Sequence, residues 1–147
     1  MRRRVPLTRA HAKKIPKPDL AAAYYLQSQI LASKSDFKNG IVAAAKAAQG
    51  VPDDPLGWYN LGAIAYAGAD YATAVTAEEK ALALNSQYAN AMYILGLSYY
   101  ELKRPDDAIK VFKELDKLNP NNTAVISILA NLLNGKPPVS PATAKSK

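Results

Sequence analysis

The chain has 147 residues and a formal charge of +7, from 19 basic and 12 acidic side chains. Apolar residues make up 49%, ordinary for a globular domain, so wholesale disorder is excluded. Cysteine is absent and the one histidine, His11, lies among basic residues, which excludes disulfides and thiol chemistry and leaves no basis for a Cys/His metal site. Residues 1–19 carry Arg2, Arg3, Arg4, Arg9, Lys13, Lys14 and Lys17 against Asp19, with Pro6, Pro16 and Pro18. Basic, proline-bearing and apolar-poor, this segment is expected to be a disordered tail. Its charge is a candidate electrostatic grip on nucleic acid or an anionic membrane surface. No apolar stretch follows the basic start, so it does not read as a secretory signal. Seven helices are then expected, near 20–33, 37–49, 55–68, 71–84, 89–102, 105–118 and 123–134. Asp36 and Asp70 stand as caps before two of them, and Asp54-Pro55 puts a cap before a proline at the first helical position. Pro105-Asp106-Asp107 sets acids at a helix's positive end, although Arg104 occupies the cap position. Gly50 and Gly135 are expected as stop residues. Residues 136–147, with Pro137, Pro138, Pro141, Lys136, Lys145 and Lys147, read as a second disordered tail. Between the tails, residues 20–135 hold nine basic and eleven acidic side chains, so the folded body is mildly acidic. The longest charge-free run of that body, Ala81 to Tyr100, includes Asn85, Ser86, Gln87 and Asn90, and no segment is expected to span a membrane. The expected location is cytoplasmic, with a membrane-associated complex as the alternative.

An internal repeat organises the body. Trp58-Tyr59-Asn60-Leu61-Gly62 recurs as Met92-Tyr93-Ile94-Leu95-Gly96, 34 residues on. At the same offset Tyr66 maps to Tyr100, Ala74 to Ala108, and Leu84-Asn85 to Leu118-Asn119. Leu-Gly, an aromatic and then Ala at this period resembles the tetratricopeptide repeat. The resemblance covers residues 21–134. Unit 89–122 fits best, with Leu95, Gly96, Tyr99, Ala108, Phe112 and Pro120. Unit 55–88 departs at Glu78, where the family has a large aromatic, and at Ser86, where it has proline. Unit 21–54 is degenerate, with Gln27-Ser28 in place of Leu-Gly. Residues 123–134 supply a capping helix. The resemblance implies an all-α, right-handed solenoid of three helix pairs plus that cap. A helix pair cannot bury its apolar faces alone, so the units must stack. The glycines inside helices fit that picture, since each costs about 1 kcal/mol relative to alanine unless a partner needs the space.

The resemblance also implies a concave groove lined by the first helix of each pair. Tyr25, Gln29, Tyr59, Asn60, Tyr66, Asn90, Tyr93, Leu97, Tyr100 and Glu101 would face it. Tyrosine offers rigid contact area with a polar tip, suited to binding an extended peptide. The expected function is thus a non-enzymatic scaffold for a protein or peptide, with self-association as a further use and no small-molecule substrate or cofactor. Some members of the family clamp acidic chaperone tails with Lys, Arg and Asn. Here only Asn60 matches, while Tyr25, Gln29, Asn90 and Ile94 stand at the other clamp positions. No nucleophile–base pair or phosphate loop points to catalysis, and capping accounts for Asp53-Asp54 and Asp106-Asp107. Finally, Ile128 to Pro138 resembles the closing segment of repeat arrays in bacterial membrane proteins similar to O-antigen ligases. On that alternative the chain would be a repeat domain of a larger cell-envelope protein.

Overall fold

The computed structural model describes residues 16–139. They form seven helices: α1 (Lys17–Ser33), α2 (Phe37–Gly50), α3 (Pro55–Ala67), α4 (Tyr71–Leu84), α5 (Ala89–Glu101), α6 (Pro105–Leu118) and α7 (Thr123–Leu133). No strand occurs among the described residues. Each helix packs on the next in sequence, and the first helices of neighbouring pairs also touch, α1 on α3 and α3 on α5. That contact pattern is a solenoid of three helix pairs with α7 laid over the open side of α6.

The caps explain most of the boundaries. Asp36, Asp54, Asp70 and Asn122 each accept a hydrogen bond from a backbone N–H of the helix they precede. Arg104 makes no such bond to α6; its Nε instead donates to Asp107 at 2.8 Å. The turns inside the pairs share a device that the composition hides. Ser35, Ala69 and Lys103, 34 residues apart, all adopt left-handed backbone with φ of 59°, 60° and 61°. The residue after each closes the turn, its N–H reaching the carbonyl five residues back at 2.9 Å. None of the three is glycine, so repeat geometry rather than residue preference imposes the conformation.

Three expectations need correction at the ends of the body. Helix α1 starts at Lys17, so residues 17–19 are its first turn and not tail; Pro16 and Pro18 suit a helix start, where no N–H is required. Gly50 is the last residue of α2 and not a stop. A Cβ there would stand 2.9 Å from the Cβ of Ala21, so glycine lets α1 approach. The chain past α7 turns back at Gly135, with φ of 68°. Pro138 is buried and its carbonyl accepts from Asn131 Nδ2 at 3.3 Å, so the segment does not become tail at residue 136. The basic residues Arg2, Arg3, Arg4, Arg9, Lys13 and Lys14, and residues 140–147, lie outside the described residues.

Two clusters fill the interior. One gathers Ala44, Ala48, Trp58, Leu61, Ile64, Ala77, Ala81 and Ala91. The other joins Leu95, Tyr99, Phe112 and Leu115 to Val125, Ile128 and Leu132 of α7. Where the two helices of a pair meet, one register position holds a small residue and its counterpart varies. The third unit has Gly96 under Phe112, and a Cβ on Gly96 would lie 2.5 Å from the ring. The second has Gly62 under Glu78, where an added Cβ would run into the carboxyl group. The degenerate first unit holds Ser28 and Ala44 at these positions, both fully buried.

Candidate functional site

The first helices α1, α3 and α5 present five tyrosines in repeating register. Tyr25, Tyr59 and Tyr93 occupy one position of each unit, and Tyr66 and Tyr100 lie seven residues past Tyr59 and Tyr93. Seven residues make nearly two helical turns, which returns each side chain to the same face. All five are half-buried. Three are held from below: Tyr59 packs on Tyr88 with ring centroids 5.0 Å apart, Tyr66 on Tyr71 at 5.5 Å, and Tyr93 edge-on to Phe112 at 5.9 Å. Burial, then the Glu101 charge, pushes the Tyr66 hydroxyl up to about 12, so it is a neutral donor. Burial also raises Tyr59 and Tyr88, with the Glu78 carboxyl adding to each.

Gln29 and Asn90 are exposed on this face, and Glu101 is half-buried at the end of α5. Two expected site residues are not offered to it. Asn60 is 4% exposed; it donates to Ser28 Oγ at 3.0 Å and accepts from Gln29 Nε2, stitching α3 to α1. Leu97 is 6% exposed and belongs to the cluster that α7 closes. Both have the groove register, but a neighbouring helix covers them. Lys17, counted with the basic tail, sits in the first turn of α1.

Two residues outside the expected set shape the site. Tyr88, from the turn before α5, braces Tyr59. Glu78 of α4 is fully buried, and neither carboxyl oxygen has a hydrogen-bond partner. Burial lifts its acid to about 9, so it is protonated near neutral pH. The mismatch of Glu78 with the family's aromatic was the signal that marked it. A cleft of about 380 Å³ opens beside Tyr25, lined by Pro18, Ala22, Leu26, Asp54 and Leu56. Among the described residues no three His, Asp or Glu side chains gather as a metal site, and no helix is long and apolar enough to cross a membrane.

A sequence model of the tetratricopeptide repeat matches residues 59–123. The stacked pairs and the 34-residue register agree with it. Over these residues the chain is similar to tetratricopeptide repeats. No curated protein sequence matches the chain. Among solved structures, the repeat domain superposes on the first such domain of Spaghetti (RPAP3), bound to the HSP90 peptide SRMEEVD, with a TM-score of 0.74 and 19% identity over 80% of this chain and 94% of that one. The second domain of human RPAP3, in complex with the HSP70 peptide SGPTIEEVD, gives 0.74 and 15% over 80% and 98%. MamA gives 0.74 and 21% over 80% and 69%. At these identities the likeness is one of fold.

Proposed function

We propose that this repeat domain is a protein-interaction scaffold that takes an extended peptide along the face formed by α1, α3 and α5. The row of half-buried tyrosines Tyr25, Tyr59, Tyr66, Tyr93 and Tyr100 carries this reading. Their rings are partly braced by packing and their hydroxyls remain as polar handles, so little side-chain freedom is lost on contact. Peptide complexes of similarly folded domains support it. Those two peptides end in Glu-Glu-Val-Asp, whereas α3 and α5 contain no lysine or arginine to hold a carboxylate. Acidic chaperone tails are therefore not the expected ligand.

Panning a displayed peptide library against the wild type and a Tyr59→Ala/Tyr93→Ala/Tyr100→Ala variant tests the reading. Enrichment by the wild type alone is expected, with circular dichroism confirming that the variant folds. Equal enrichment by both would move the binding surface elsewhere.

A further inference from the structure

Within the array, cations and anions are segregated by helix. Helices α3, α5 and α7 contain no lysine or arginine, and α1 has only Lys17 at its first residue. The basic side chains of residues 20–135 lie on the second helices or in the turns inside the pairs. Acids do reach the first helices: Asp54 caps α3, Glu101 ends α5, and Glu78 of α4 lies against Gly62 of α3. Glu78 is the outlier. It is 0% exposed, and both oxygens are unpartnered. Leaving a buried carboxyl unpaired is costly, and stability alone favours an aromatic, as Phe112 shows at the same register one unit on.

The surroundings of Glu78 favour one kind of partner. Glu78 lies against Gly62 of α3, one helical turn on from Tyr59, and Tyr59 packs on Tyr88 of the α4–α5 turn with ring centroids 5.0 Å apart. We propose that Glu78 is the receptor for a lysine or arginine head carried by an extended peptide, which enters between Tyr59 and Tyr88 and pairs with the carboxyl beneath them. This rests on the peptide-binding reading above. Tyr88 projects from a turn, so its ring clears the way by side-chain rotation. Once inside, the cation meets two aromatic faces and a desolvated acid, an arrangement that strengthens both contacts. Elsewhere the molecule already sets its own cations on rings, Lys80 over Trp58 at 4.2 Å and Arg104 over Tyr99 at 4.5 Å.

The test uses the full chain and three fluorescein-labelled nine-residue peptides in which proline alternates with arginine, citrulline or glutamate. Citrulline keeps the shape and hydrogen bonding of arginine but not the charge. The arginine peptide is expected to bind at least tenfold tighter than the citrulline peptide, and the glutamate peptide weakest. Glu78→Gln and Glu78→Phe should each erase the arginine preference and leave citrulline affinity within twofold; Glu114→Gln, on α6, should leave the preference intact. Equal binding of arginine and citrulline peptides, or a preference that survives both Glu78 variants, overturns the proposal while the groove reading stands. Tighter binding of the glutamate peptide also overturns it, and failure of all three peptides to bind removes both. Glu78→Phe restores the pairing of the third unit, so a folding defect in Glu78→Gln would not obscure the result.

Discussion

The second and third units differ at several buried positions, and one of these differences, residue 78 against residue 112, separates what a repeat needs from what it can carry. Both place a glycine on the first helix under the side chain of residue 78 or 112. In the third unit that side chain is Phe112, fully buried in a cluster that includes Leu95, Leu115 and Val125. In the second it is Glu78, equally buried and with no partner for either oxygen. The glycine sets the spacing of the helices, and the residue opposite sets the chemistry. A unit can therefore hold an acid in its floor without losing the repeat geometry, at a cost in stability borne by its neighbours.

The largest effect should come from removing the apolar member of the comparison. Phe112→Ala is expected to lower unfolding free energy by about 3–5 kcal/mol, read by urea denaturation. Converting the second unit to the third, Glu78→Phe, should raise it by about 2 kcal/mol at pH 7, because an apolar ring replaces an unpaired acid. No gain would mean that Glu78 has a partner in solution.

The two units should also differ in their response to pH. The Glu78 acid is raised from 4.5 to about 9, so the folded state holds its proton more tightly than the unfolded chain does. Stability contributed by the neutral acid is then full below about 4.5, falls as pH rises, and is lost through about 9. Tyr59, Tyr88 and Tyr25, with Asp54, face the same region; the raised tyrosines Tyr59 and Tyr88 act in the same direction, but only at higher pH. Thermal melts from pH 5 to 9 should show a decline for the wild type and a shallower one for Glu78→Gln. Parallel curves would mean that Glu78 titrates normally.

Smaller effects belong to the glycines. Gly96→Ala should cost about 1–3 kcal/mol, because a Cβ would press on the fixed ring of Phe112. Gly62→Ala should cost less, since it meets the movable end of Glu78. The smallest change is expected from Lys103→Gly. Relief of left-handed backbone, about 1–2 kcal/mol, is mostly offset by the added freedom of glycine in the unfolded chain, leaving a gain of about 0.5 kcal/mol.

Much of the fold was legible because helix caps and a 34-residue register are local or periodic signals. Asp36, Asp54 and Asp70 cap where they were expected to, and the tyrosines fall in register on the first helices. The first unit was hard to read because its small-over-large pairing is replaced by Ser28 and Ala44. Asn60 and Leu97 were misplaced for another reason. Register gives the direction in which a side chain leaves its own helix, but not what stands in its path.

By itself, the sequence determined the number of helices, their order and the separation of a basic N-terminal segment from a mildly acidic body, because caps, period and charge are properties of neighbouring or regularly spaced residues. Tertiary structure alone decided that Asn60 stitches α1 to α3, that Leu97 is closed over by the cluster of α7, and that Glu78 is shut in without a partner. Burial and hydrogen-bond satisfaction depend on residues brought together from separate helices, and no single segment of chain contains that information.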